Sequence, residues 1–418
     1  MALRGKKNGS KGSAAYDWAN NLPCDIIAYI FEHLDDYRID QRRAASVCVA
    51  WRRAGSLLNF KKPSIIKLPF IGTCPAYNDI ANSLCRITSI TPNSLYFFIS
   101  PALYRTQTRV WLIRVEEIGT NRWLLHPPSS WDHREEYNFN LLDQHKILGV
   151  AKVYLSDPLS RPRVRKVISI MSDLGNRFLV LFGDKGKLAL WSENSHQCSY
   201  IDTSNNYEFE DIINLRDQIY AIDTIGRLVI INPTTLDLVE VASSPKGIII
   251  EYDVTIMYLV CSDGFLYLVY KGFVGAEAWW KEYTYFNRRH SWKDVRTLIE
   301  RNNGCPIGKP KKMDVGVLMF DKQSRAWVRV ENLGNKLFFI TEYATFSLTA
   351  KQLGWNKGSF ICFMCKDFHY GPDFGKDPFL YKVEGNVCRK QGDFHSYITV
   401  DLGRPPKWVR PMLHSTRI

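Results

Sequence analysis

Thiols and imidazoles gather at one place in this chain at a spacing that a zinc ion could use: Cys362-Phe-Met-Cys365, with His369, Cys388 and His395 downstream. A structural zinc site asks for a knuckle turn between paired ligands and a second close pair. The residues flanking Cys362 read instead as a strand, where an offset of three sends two sulfurs to opposite faces. No metal and no cofactor is therefore expected. Glu116-Glu117 and Glu135-Glu136 are sequence neighbours, which point apart on a strand rather than converging as an acid/base pair. A Gly-x-Ser-x-Gly elbow, a His-Glu-x-x-His pair and a phosphate-binding Gly-x-x-x-x-Gly-Lys loop are all missing, so no catalytic residue is assigned.

Two constellations suit binding rather than catalysis. In Arg161-Pro-Arg163-Val-Arg165-Lys166, period-two spacing projects Arg161, Arg163 and Arg165 from one side of an extended segment. Such a row can grip an acidic partner through paired guanidinium hydrogen bonds, and equally can keep a solvated edge strand from aggregating. Trp279-Trp280, followed by Tyr283, Tyr285, Phe286 and Arg288, has the residue types enriched in binding hot spots. The same cluster would also serve to close an outer strand.

These residues need a scaffold, and the composition indicates its kind. The 418 residues are 45% hydrophobic and 13% aromatic, which supplies a sizeable core and favours strands. No stretch reaches the roughly 20 uncharged apolar residues of a membrane span. The polar, basic start, with Arg4, Lys6, Lys7 and Lys11, has no apolar core of a secretory signal. A soluble protein of the nucleus or cytoplasm is expected, its ten cysteines kept as thiols. The net charge of +13 favours an acidic partner without distinguishing nucleic acid from protein.

Four segments follow from the pattern: a basic tail over 1–16, a helical block over 17–58, a linker over 59–72 and a strand-rich body over 73–418. In the block, Ile26, Ile27, Ile30, Phe31 and Leu34 fall at helical offsets behind Leu22-Pro23, and a second short run leads to Trp51. The body repeats an apolar strand, a Gly-containing turn and a second apolar strand at Phe178–Trp191, Ile219–Ile231 and Met257–Tyr270, with the turn glycines Gly186, Gly226 and Gly264 spaced 40 and 38 residues apart. Looser units follow at Leu95–Leu125, Val315–Val330, Lys336–Ala350 and Ser359–Val383. This is the period of a propeller blade. The expected fold is a small all-α domain followed by an all-β propeller of six to eight blades, with seven favoured; the alternative is a pair of β-sandwiches.

The segment Leu22-Pro-Cys-Asp-Ile-Ile-Ala-Tyr-Ile-Phe-Glu-His-Leu34, followed by Asp40, Arg42, Arg43, Ser46-Val-Cys48 and Trp51-Arg52, resembles the F-box. The body resembles that of plant F-box proteins with a KIB-type propeller, the domain of unknown function 295. The matching stretches include Lys67–Phe70, Asp211–Ile231 and Trp327–Phe339 with Phe346–Ala350. The resemblance implies a non-catalytic substrate receptor of an SCF-type ubiquitin ligase, docked on a Skp-type adaptor and through it on a cullin–RING assembly. It implies an adaptor-facing surface of Leu22, Pro23, Ile26, Ile27, Ile30, Leu34, Val47, Cys48 and Trp51. Client-binding candidates are Arg161, Arg163, Arg165, Trp279 and Trp280, with an acidic protein as the expected client and neither membrane nor nucleic acid. Two other readings stay open: a basic nuclear propeller without a ligase role, and a propeller that binds a small molecule in a central pocket.

Overall fold

The computed structural model describes residues 22–23, 26–27, 29–30, 47–49, 51–52, 66–67, 89–99, 110–119, 122–126, 135–138, 146–156, 164–170, 176–183, 186–195, 197–201, 207–245, 254–274, 312–341, 343–364, 379–385, 387–390 and 410–411. By its contacts the chain forms two compact units, one of Met1–Lys61 with Asn140–Gln144 and one of Lys62–Phe139 with His145–Ile418. The second unit is built of five β-sheets.

The first blade holds β1 (Ile66–Lys67), β2 (Ser89–Ile99), β3 (Val110–Gly119), β4 (Arg122–His126), β5 (Glu135–Asn138) and β6 (Lys146–Ser156), with β6 paired to β2. The second runs β7 (Val164–Ile170), β8 (Arg177–Phe182), β9 (Leu188–Ser192) and β10 (Gln197–Tyr200). The third is β11 (Phe209–Leu215), β12 (Gln218–Asp223), β13 (Leu228–Ile231) and β14 (Leu238–Ala242). The fourth is β15 (Val254–Ser262), β16 (Phe265–Val274), β17 (Lys312–Asp321) and β18 (Ala326–Arg329). The fifth contains β19 (Lys336–Ile340), β20 (Thr345–Thr349), β21 (Phe360–Phe363), β22 (Phe379–Glu384) and β23 (Val387–Lys390), in the order β20-β19-β21-β22-β23 with β19 and β21 parallel. A last strand, β24 (Arg410–Pro411), returns to pair with β5 of the first blade.

The ring is closed. Strands β6, β7, β11, β15 and β20 follow one another around the axis, with β20 again next to β6. Five hydrophobic cores fill the five gaps between neighbouring blades. Strict alternation divides each inner strand between two gaps: on β16, Leu266, Leu268 and Tyr270 face the third blade, and Tyr267 and Val269 face the fifth. On β8, Phe178, Val180 and Phe182 face the first blade while Leu179 and Leu181 face the third. Burial on both faces is why such strands read as unbroken apolar runs.

The expected fold class is corrected in two respects. The described residues are almost entirely β and form five blades rather than six to eight, and no α-helical element is defined among them. Of 17–58 the structure describes single helical turns: Ile27 N–H donates to the Pro23 carbonyl at 3.1 Å and Arg52 N–H to the Cys48 carbonyl at 3.0 Å. The remainder of 17–58 lies outside the described residues, and helical spacing in a sequence signals local conformation only. The blade count fell for a specific reason. All seven strand units of the sequence form sheet, but Val315–Val330 joins Met257–Tyr270 in the fourth blade through β16–β17 pairing, and Ser359–Val383 joins Lys336–Ala350 through β19–β21 pairing. The turn repeat was partly coincidental as well. Gly186 and Gly226 join second to third strands, whereas Gly264 joins a first strand to a second. Between the second and third blades the offset is 45 residues, seen in both Arg165–Glu210 and Lys166–Asp211, whereas the fourth and fifth blades are offset by 86 in Thr345–Leu259 and Ser347–Cys261.

Candidate functional site

Around the axis the innermost strands carry a polar network. Lys166 on β7 donates from Nζ to Asp211 Oδ1 on β11 at 2.7 Å and to Thr345 Oγ1 on β20 at 3.3 Å. The Asp211 carboxylate also accepts from Ile212 N on Oδ1 at 2.8 Å and from Leu259 N on β15, on Oδ2, at 2.7 Å. Thr345 Oγ1 in turn donates to the Leu259 carbonyl, and Ser347 Oγ to that of Cys261 at 2.9 Å. Three blades thus meet at the carboxylate of Asp211, a residue 4% exposed, and Lys166 and Leu259 extend the network to a fourth through Thr345. A buried charge is tolerated only when it is paired and its oxygens are satisfied, and Asp211 meets both conditions. Its donors come from the scaffold itself, so this acid is a ring fastener rather than a group that meets substrate.

Of the proposed basic row, Arg165 lies on β7 and donates from Nη2 to Glu210 Oε2 of the next blade at 2.7 Å. It is half-buried and engaged in that inter-blade pair. Arg161, Arg163, Trp279 and Trp280 lie outside the described residues. Sequence reasoning missed Asp211 and Thr345 and treated Lys166 only as part of the charge row. One signal was available: Asp211 directly precedes Ile212-Ile213 in a strand flanked by Phe209 and Leu215, and an acid buried among such residues has to be paired.

The N-terminal candidates separate by exposure. Ile27 is fully buried, while Ile26 is 44% and Val47 54% exposed, and the neighbouring Tyr29 and Val49, which were not among the assigned residues, are 59% and 60% exposed. Leu22, Ile30, Cys48 and Trp51 are half-buried and Pro23 is exposed; Leu34 lies outside the described residues.

Cys362 is buried on β21 in the core between the first and fifth blades. Among the described residues no group of three or more His, Cys, Asp or Glu is placed to hold a metal. Burial pushes the Cys388 thiol on β23 up to about 12, against a smaller downward pull from Arg329, and burial likewise pushes the Tyr381 hydroxyl up to about 12. A protonated thiol is a poor metal ligand and a poor nucleophile. At pH 8, alkylation of Cys388 in the folded chain is expected to run about a thousandfold slower than for an ordinary exposed thiol, checked by mass-spectrometric peptide mapping. Both groups are acids held neutral in the fold, so the unfolded chain loses these protons first. Stability should therefore fall as pH rises from the ordinary thiol value of 9.0 toward about 12.

Residues 53–389 match the KIB1-4 beta-propeller family. An Arabidopsis thaliana protein named "Putative F-box protein At1g65770" is 23% identical over 353 residues, covering 80% of this chain and 86% of its own length. A second, "Putative F-box/kelch-repeat protein At5g24040" of the same plant, is 20% identical over 412 residues, covering 93% and 98%. A solved structural-genomics protein of unknown function from Bacteroides thetaiotaomicron is 10% identical over 66% of this chain and 68% of its own, with a TM-score of 0.20, too low to inform the fold. With the match running over most of its length and its strands closed into a ring of blades, this chain belongs to the KIB1-4 beta-propeller family.

Proposed function

We propose that this chain is the substrate receptor of an SCF-type ubiquitin ligase. Its N-terminal segment docks on a Skp-type adaptor and so on a cullin–RING assembly, and its propeller holds a client protein. The receptor performs no chemistry of its own. Holding the client beside the ubiquitin-charged enzyme makes transfer effectively intramolecular. Such a role belongs to the nucleus or cytoplasm.

The observation that carries this reading is the exposure of Ile26, Tyr29, Val47 and Val49 in two short stretches that match the F-box pattern, beside a fully buried Ile27. Large apolar side chains left in water favour a protein partner. The F-box names of the two Arabidopsis relatives support the same role.

The test is co-purification with a co-expressed Skp-type adaptor. Ile26→Asp with Val47→Asp puts charge into the interface, and adaptor recovery is expected to drop at least tenfold while the thermal midpoint stays within about 2 °C. Ile27→Asp, by contrast, buries an unpaired charge and should unfold its own unit. Full adaptor recovery by the surface double variant would sink the receptor reading.

A further inference from the structure

We infer that the client is taken at the bottom rim of the propeller around Phe265, and that the segment taken is a peptide with an apolar side chain flanked by carboxylates. The inference rests on the receptor reading above. The bottom is the end at which the first strands of the blades finish. There the two-residue turns Arg216-Asp217 and Asp263-Gly264 join β11 to β12 and β15 to β16. Phe265, the first residue of β16, is 52% exposed. It is an aromatic ring held in water by a rigid sheet, the residue type and setting of a binding anchor.

Arg216 stands beside it in an unfavourable backbone conformation. Its φ is 51°, in the left-handed region that two-residue hairpin turns reserve for Asn, Asp or Gly. An arginine there has a steric cost that glycine would remove, and such strain is held where it serves a site. Its guanidinium lies over the neighbouring blade's turn: a Cβ on Gly264 would sit 2.1 Å from Arg216 Nη2. Across the turn, Lys336 Nζ bonds Tyr267 Oη at 3.1 Å and pairs with Asp263 Oδ2 at 3.2 Å. Arg325, in the β17–β18 turn at the same end, is exposed and also left-handed, at 52°.

The charge balance favours an anion. Arg216, Lys322, Arg325 and Lys336 share this end with Asp217, Asp237, Asp263 and Asp321. Lys336 and Asp263 neutralise each other, Asp237 accepts from Thr235 Oγ1, and Asp321 is turned onto its own loop, accepting from Gln323 N, Ser324 N and Ser324 Oγ. Those bonds hold its carboxyl below the ordinary value. This leaves Arg216, Lys322 and Arg325 against Asp217. Guanidinium forks beside an aromatic ring suit carboxylates next to an apolar side chain.

The test pans a random twelve-residue peptide library against the full chain bound to its adaptor. Enriched peptides are expected to place Asp or Glu around a Leu, Ile or Phe. Phe265→Ala should weaken their binding at least tenfold and Arg216→Gly about tenfold. Arg216→Gly should do so while raising the thermal midpoint by about 2 °C, because it relieves the left-handed residue. Ile225→Ala, at the opposite end, should change nothing. Basic peptides, no enrichment, or binding that survives both rim substitutions would overturn the rim, as would better competition by single-stranded DNA. Loss of the adaptor from the unmodified chain would instead overturn the receptor role, which keeps the two failures apart.

Discussion

Replacing Asp211 with alanine is expected to cost about 3–5 kcal/mol of folding stability, read as the shift in urea midpoint at constant slope. The carboxylate takes Lys166 from the second blade, Ile212 N from its own strand and Leu259 N from the fourth blade. Removing it leaves an uncompensated ammonium, with a side chain only 11% exposed, and two orphaned backbone donors. Asp211→Asn keeps an acceptor and should recover part of the loss. Lys166→Met leaves Asp211 with its two backbone donors and should cost less than Asp211→Ala. If alanine at 211 shifted the midpoint no more than a surface substitution, the network would not be what fastens the blades.

Gly186→Ala should be the most damaging single-methyl addition among the described glycines, at about 2–4 kcal/mol. Its φ is 54°, and a Cβ would lie 2.4 Å from both the nitrogen and the oxygen of Phe209. Those are backbone atoms that no rotamer change can move. They also belong to the seam between the second and third blades, where Phe209 N donates to the Gly186 carbonyl at 2.9 Å. Gly334 and Gly385 are the controls. Both are left-handed, at 63° and 58°, and a methyl on either would meet nothing within 4 Å, so alanine there should cost only about 1 kcal/mol. Equal losses at all three positions, measured by calorimetry, would refute the steric account of Gly186.

The two effects share an origin in ring closure. Each blade meets two neighbours, so the apolar side chains of an inner strand divide between two seams, and a buried charge on it is paired across a seam. The axial network does this between neighbouring blades, pairing Arg165 with Glu210 and Lys166 with Asp211 between the second and third blades and Thr345 with Leu259 between the fourth and fifth. The apolar counterpart is the trio Phe97, Phe339 and Phe346 between the first and fifth blades. Phe339 and Phe346 stack at 5.2 Å and Phe97 meets Phe339 edge-on at 5.1 Å. This contact joins strands far apart in sequence at the seam where the ring closes.

The strands and their class were legible in the residues alone. Alternation and apolar runs located all seven strand units, since the pleat forces neighbouring side chains to opposite faces whatever the surroundings. The adaptor-facing set that the F-box resemblance implies holds both the exposed Ile26 and Val47 and the buried Ile27, because a sequence pattern gives a stripe and not its depth. How many blades those strands make was settled by folding. Pairing of β16 with β17 joins segments separated by 275–311, and no local pattern encodes a bond between distant strands. Folding also settled the fate of the charges. Arg165 pairs with Glu210, and Asp211 is an internal fastener, because burial and pairing are properties of the closed ring and not of residue spacing.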